Sequence, residues 1–302
     1  MPRRNIKSSN RFASKKNNLP NYLRTLNLSP QKTLGQHFLI DQMIMFDIAA
    51  AVVQKDIGTV IEIGAGPGGL TQELVKNFLS VIAVEIDEEL ASITRERLRD
   101  YDNLTVIAAD ILQVDLLEIL LEAEARPPFV VVGNLPYYIT QPILRKMQES
   151  TVLPSRIVIL VQREVGRRIV GGTWKESFLS MCTKFFGSPQ KLFDVDSSSF
   201  WPEPKVQSSV IQIDNFSEPS VPVLSEDRES FFHLLRAGFS SPRKQLHNVL
   251  PGALGISAEE IKLVLNNADI APDLRAQHLS LEDWYLLFCV LQNSHPMAMK
   301  VR

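Results

Sequence analysis

Thr59-Val60-Ile61-Glu62-Ile63-Gly64-Ala65-Gly66-Pro67-Gly68-Gly69-Leu70 decides the fold. Thr59 to Ile63 is a short apolar run broken by one glutamate, and a helical pattern runs from about Leu70 to Phe78. Strand, glycine-rich turn and helix together are the geometry of a nucleotide-binding crossover. Glycine lets the backbone pass close beneath a ligand, and the helix N-terminus is electropositive. Two ligand classes fit the spacing. Gly64, Gly66 and Gly69 match a dinucleotide fingerprint, while Glu62, Gly64, Gly66 and Gly68 match the Glu-x-Gly-x-Gly-x-Gly turn of S-adenosylmethionine binders. Spacing alone does not separate them. Pro67 leans against a pyrophosphate, because it removes one backbone N–H from the turn.

The next segments extend the same ladder. Ser80 to Val84 reads as a second strand, closing in Glu85-Ile86-Asp87. A carboxylate about twenty residues past a glycine turn is placed to accept from both ribose hydroxyls. Asp87 suits the N-cap of a charged helix from about Glu88 to Asp100. Leu104 to Ala108 is a third strand ending in Asp110, either an acceptor for an adenine exocyclic amine or a simple cap. A helix is expected from about Leu116 to Ala125.

Val130-Val131-Val132-Gly133-Asn134-Leu135-Pro136-Tyr137-Tyr138 supplies the fourth strand. The run is apolar on both faces, as in a buried parallel strand, and Pro136 stops it. Asn134 to Tyr137 then form a stiff loop at the strand's carboxyl end, the edge where open α/β sheets bind ligands. An exocyclic amine on a nucleobase has two N–H donors and a π-face. Asn134 and the Leu135 carbonyl suit the donors, and Tyr137 suits the ring. The plain alternative is a strand end with an ordinary turn.

Beyond that loop come a helix from Pro142 to Gln148 and a strand from Arg156 to Val161. Arg163, Arg167 and Arg168 follow on a helix, as a phosphate-facing cluster or a solvated face. Ser177 to Phe186 is an apolar helix, and Lys191 to Val195 and Val206 to Ile213 make a terminal hairpin pair. Between them Phe200-Trp201-Pro202-Glu203-Pro204-Lys205 is a rigid loop whose aromatics serve as core or as a stacking wall. Ser217 to Ser225 reads as a linker, and only helices follow, near 227–239, 243–250, 258–268 and 281–292, with breaks at Pro242, Pro251-Gly252 and Pro272. Ser225 and Ser280 suit N-caps. Arg236, Arg243, Lys244 and Arg275 give the helices a possible phosphate-binding face.

Upstream, Asp41 suits the N-cap of a helix to about Gln54. His37 is a ligand contact, a packed residue or a surface one. No Asp or Glu precedes Asp41, yet Arg3, Arg4, Lys7, Arg11, Lys15, Lys16, Arg24 and Lys32 do, although the net charge is only −2. That basic stretch is an RNA-contacting arm, a removable targeting peptide or a solvated tail. The chain thus divides into a basic, disordered arm (1–31), an α/β domain (32–215) and a helical domain (216–302). At 45% hydrophobic and 22% charged residues, with no run long enough to span a bilayer, it is expected to be globular and away from membranes. Cys182 and Cys289 lie far apart in apolar helices, which argues for buried thiols in a reducing compartment rather than a disulfide or a metal site. Nothing in the sequence calls for more than a monomer.

Taken together, the segments resemble the KsgA family of small-subunit ribosomal RNA adenine dimethyltransferases. The likeness covers nearly the whole chain from Lys32. It rests on Leu34-Gly35-Gln36-His37-Phe38-Leu39, Glu62 to Gly68, Glu85-Ile86-Asp87, Asp110, Asn134-Leu135-Pro136-Tyr137 and Phe200-Trp201-Pro202-Glu203-Pro204-Lys205-Val206-Gln207-Ser208-Ser209-Val210. It implies a Rossmann-like class I methyltransferase domain, with a seven-stranded, mostly parallel sheet, and a small all-helical C-terminal domain. It implies S-adenosyl-L-methionine as cofactor, small-subunit RNA in an immature subunit as partner, and dimethylation of two adjacent adenosines near the RNA's 3′ end. By that likeness His37, Leu39, Gly64, Gly66, Glu85, Ile86, Asp110, Ile111 and Asn134 bind the cofactor. Asn134, Leu135, Pro136 and Tyr137 form the catalytic motif, with Phe200 as a second stacking residue. The cytoplasm is the expected compartment, or an organelle if the basic arm is a transit peptide. His37 stands where some members have Asn, and Trp201 is bulkier than usual. Rival readings are a resistance-type methyltransferase of large-subunit RNA, a non-catalytic assembly factor on the same fold, and a nicotinamide dehydrogenase.

Overall fold

The computed structural model describes residues 20, 23, 24, 26, 30, 31, 35–136, 139–172 and 175–299. Tyr137 and nearly all of the basic arm, including its charges other than Arg24, lie outside the described residues. The chain divides into two compact units, residues 1–162 with 193–210, and 163–192 with 211–302.

Strands β2 (Thr59–Ile63), β3 (Ser80–Glu85), β4 (Leu104–Ala108), β5 (Phe129–Asn134) and β6 (Arg156–Gln162) pair in parallel. With β7 (Gly187–Val195) and β9 (Ser208–Asn215) they form a seven-stranded sheet ordered β4-β3-β2-β5-β6-β9-β7. The order reverses beside β2, so the glycine turn leaves the sheet at the switch point where such folds bind ligands. Every residue of β2 is buried, Glu62 included. Gly133 permits the β2–β5 pairing: a Cβ there would sit 2.6 Å from the Ile63 carbonyl oxygen.

Three helices begin on aspartates that follow strands. Asp41 caps α1 (Gln42–Val52), accepting from Met43 and Ile44. Asp87 caps α3 (Glu88–Arg97), and Asp115 caps α4 (Leu116–Glu122). The helix expected over Leu70–Phe78 contracts to α2 (Thr71–Leu74). Side chains take its carbonyls instead: Asn77 donates to Glu73, and Asn103 donates to Val75 and Phe78. α5 (Thr140–Glu149) follows the Asn134 loop. A separate two-stranded sheet pairs β1 (Phe38–Leu39) with β8 (Phe200–Trp201), antiparallel.

The second unit contains α6 (Arg163–Val170), α7 (Phe178–Phe186), α8 (Arg228–Phe239), α9 (Leu246–Leu254), α10 (Ala258–Asn267) and α11 (Leu281–Ser294). Its core holds Met181 and Phe185 of α7 together with Phe231, Leu235, Leu250, Leu265, Trp284 and Phe288. A helix 30 or more residues ahead of the Ser217–Ser225 linker signal thus packs among the C-terminal helices. Gly238 is required there, since a Cβ would lie 2.2 Å from the Trp284 ring. Ser257 and Ser280 cap α10 and α11 in reciprocal capping boxes. Ser225 instead opens a short 3₁₀ turn, and α8 follows Asp227. The expected break at Pro251 does not occur: α9 runs through it to Gly255, whose left-handed φ of +69° ends the helix. Buried Leu250 and Leu254 hold the helix across the missing N–H, so core packing overrides the proline.

Candidate active site

One cavity opens at the carboxyl edge of β2–β5. It gathers His37, Gly64, Gly66, Glu85, Ile86, Asp110, Ile111, Asn134, Leu135 and Pro136 from the sequence candidates. Leu39 and Phe200 are not in its lining. They sit opposite each other across β1 and β8, both buried. The sequence did not single out Leu90 or Ile139, which also line it. They read as ordinary core positions, and no signal in the sequence sets them apart.

The glycine turn discriminates between the two ligand classes. Gly64 N–H donates to the Val84 carbonyl at 2.8 Å, and Gly66 N–H to Glu85 Oε2 at 2.8 Å. Gly68 N–H donates to the Ala65 carbonyl at 3.0 Å, and Pro67 has no N–H. A pyrophosphate cradle needs those donors free. Here four positions of the turn offer none, which removes the dinucleotide reading.

Glu85 is buried, and its Oε1 accepts from Asp87 N–H at 3.0 Å while its Oε2 holds Gly66. Burial pushes its pKa up against the pull of those backbone donors. Each carboxylate oxygen still has a lone pair for a ligand hydroxyl. Asp110 Oδ1 accepts from Leu112 N–H at 2.9 Å, the local cap; Oδ2 accepts nothing from a described residue. Cap and ligand acceptor are therefore compatible roles for Asp110. Ile86 is 54% exposed and lines the cavity, an apolar surface left open on the edge of a ligand space.

Asn134 ends β5, and its Nδ2 donates to the His37 carbonyl at 2.9 Å. That bond fixes the amide plane and leaves Oδ1 as the acceptor. The Leu135 carbonyl likewise accepts no bond from a described residue, whereas its N–H is tied to Leu160 at 3.2 Å. His37 is itself held by Nδ1 donating to the Pro202 carbonyl at 2.6 Å. The same segment is strapped by Gln36 and Gln31, whose side-chain amides donate to Asp87 Oδ2 at 3.1 and 3.0 Å. Phe38 stacks on Trp201, with ring centroids 6.2 Å apart, and both pack against Leu23 and Leu90. The bulk of Trp201 is thus taken up as core behind the cavity wall.

Residues 27–293 match the family model for ribosomal RNA adenine dimethylase. The chain belongs to the ribosomal RNA adenine dimethylase family. The chain is 38% identical, over 270 residues, to the ribosomal RNA small subunit methyltransferase A of Dehalococcoides mccartyi, covering 89% of this chain and 90% of the relative. Among solved structures it resembles a dimethyladenosine transferase from Plasmodium falciparum (TM-score 0.70, 26% identity, 84% of this chain and 96% of that one). It also resembles the 23S rRNA methyltransferase ErmE (TM-score 0.67, 26% identity, 84% and 99%). Its α/β unit accordingly has the Rossmann-like class I methyltransferase fold, and the protein is an enzyme of methyl transfer. No described helix is long and apolar enough to cross a membrane. Within the helical unit, Gln245 and Arg275 form an isolated β-bridge, which brings the candidate phosphate contacts Arg243, Lys244 and Arg275 into one neighbourhood.

Proposed function

We propose that this protein uses S-adenosyl-L-methionine to dimethylate N6 of two adjacent adenosines near the 3′ end of small-subunit ribosomal RNA, acting as a monomer on an immature subunit in the cytoplasm. The observation that carries this reading is the order of groups along one sheet edge. Asp110, Glu85, the glycine turn and Asn134 lie at or just past the carboxyl ends of strands β4, β3, β2 and β5 in spatial sequence. Three strand spacings separate the first from the last, about 14 Å. That order suits adenine, ribose, sulfonium tail and target amine in turn. Ile86 and Ile111 supply apolar faces for the adenine, and Glu85 accepts from the ribose hydroxyls. When bound, the cofactor supplies an already activated methyl carbon, so the protein needs no covalent nucleophile.

The chain's task is the weak partner, an amine whose lone pair is delocalised into the adenine ring. Asn134 Oδ1 and the Leu135 carbonyl accept its two N–H groups, which drives the nitrogen toward tetrahedral geometry and frees the lone pair. Tyr137 is the stacking candidate for the flipped base; Phe200, buried against β1, is not. Asn134 is neutral, so it orients and stabilises rather than removing a proton. The monomethyl product keeps one N–H, so the second transfer proceeds with one acceptor contact fewer.

The test uses purified protein, tritiated S-adenosylmethionine, small subunits lacking adenine methylation and naked large-subunit RNA, with digests read by mass spectrometry. Dimethyladenosine at two adjacent small-subunit positions is expected. Label confined to large-subunit RNA would overturn the substrate, and cofactor binding without label in either RNA would favour a non-catalytic assembly factor.

A further inference from the structure

Gly66 is held at both of its polar groups. Its N–H goes to Glu85, and its carbonyl accepts from Thr94 Oγ1 at 2.7 Å. Thr94 lies on the inner face of α3, fully buried, 28 residues along the chain from Gly66. A helical threonine ordinarily turns its hydroxyl to a carbonyl one turn back in its own helix. Here the hydroxyl bonds the cofactor turn instead. One turn further along α3, Arg97 Nη2 donates to the Gly68 carbonyl and Nη1 to Gln72 Oε1 at 3.1 Å. A Cβ on Gly68 would meet both Thr94 and Arg97 at 3.0 Å, so the turn and the helix face are in tight contact. Gly66 and Gly68 have φ of +54° and +78°. Such a backbone keeps its course only where its surroundings impose it.

The same helix starts at Asp87, directly after Glu85 and Ile86, which line the cavity. One rigid element therefore sets both the nucleoside contacts and the path of the glycine turn. Resting on the cofactor reading given above, we infer that Thr94, supported by Arg97, is a positioning residue for cofactor binding. It turns the Gly66 carbonyl away from the cavity and fixes the turn at the distance from Glu85 that the bound cofactor requires. Without the hydroxyl, the free enzyme's turn relaxes, and binding must restore its course.

The experiment is calorimetric titration of the full-length protein with S-adenosylhomocysteine, beside initial rates over a range of S-adenosylmethionine concentrations. Thr94→Val is expected to raise the Kd about tenfold, the worth of one buried hydrogen bond. KM for the cofactor should rise with it, while kcat at saturating cofactor changes much less. Thr94→Ser should recover most of the affinity, and Ser92→Ala, on the exposed side of the same helix, should bind as wild type does. If Thr94→Val does not fold, Arg97→Gln probes the second anchor, with the same expected split. A Thr94→Val protein that melts lower yet binds within twofold of wild type would overturn the inference, leaving Thr94 a packing residue. Wild-type protein that fails to bind at all would instead overturn the cofactor reading itself.

Discussion

Glu62 is a weakness of the sheet in an energetic sense, although it is all but shut off from water. It is fully buried in β2, accepts from Thr71 Oγ1 at 2.6 Å, and has its pKa raised from 4.5 to about 7, chiefly by loss of hydration and further by the nearby Glu85. The unfolded chain releases this proton near pH 4.5, the folded chain near pH 7. Between those values the folded state binds more protons, so this group's contribution falls as pH rises and levels off above about pH 7. At about 1.4 kcal/mol per unit, the full loss is about 3 kcal/mol. Glu62→Gln keeps an acceptor for Thr71 and removes the titration. Its buried amide donors add a cost that does not vary with pH, so the change with pH is what counts. Urea denaturation of both proteins from about pH 5 to about pH 8 should show the variant gaining about 2–3 kcal/mol relative to wild type. Parallel stability curves would refute the argument, as would a variant that loses ground toward high pH.

Asn134→Ala should lose about 100-fold in kcat, the scale of one preorganised polar group, and far more than it loses in affinity for S-adenosylhomocysteine; single-turnover transfer beside titration measures the two. Gly133→Ala should unfold several degrees earlier and lose methyl transfer, because its Cβ would lie 2.6 Å from a backbone oxygen that cannot swing aside; calorimetry and activity together check this. Gly66→Ala places a side chain at a φ of +54° and 3.3 Å from Phe38 Cδ1, which should cost about 1–2 kcal/mol and weaken cofactor binding in titration. Asp110→Ala should raise the cofactor Kd while leaving kcat at saturation close to wild type, a split that steady-state rates resolve.

The five parallel strands were legible because each is a short apolar run rich in β-branched residues; β7 was not, and it begins at Gly187 rather than Lys191 because its first half carries no such run. Thr59–Ile63 and Leu104–Ala108 have the bounds their sequence suggests. The site was legible for the same reason. In a parallel sheet ligand-facing groups sit at or just past strand ends, so the candidates Glu85, Asp110 and Asn134 are found by finding the strands. What stayed hidden depends on contacts distant in sequence. Nothing local marks Thr94 as the partner of a carbonyl 28 residues earlier. The pairing of Leu39 with Phe200, which draws both out of the cavity lining, is equally nonlocal. Helix ends were misread where side chains claimed backbone carbonyls, as Asn103 does after α2. Pro251 misled because a buried leucine on each side outweighs a lost hydrogen bond.

The pairing of β1 with β8 also sets when the site comes into being. His37 reaches Pro202 across 165 positions of sequence, and the Asn134 amide is oriented by the carbonyl of that same His37. A chain still emerging from the ribosome can pair β2 to β5, but it cannot finish the wall that aims Asn134 until residues 200–202 are out. Contacts of such long sequence separation form late. The candidate pocket is therefore completed only after residues 200–202 have been made, and an unfinished copy has the five parallel strands without the wall that aims Asn134.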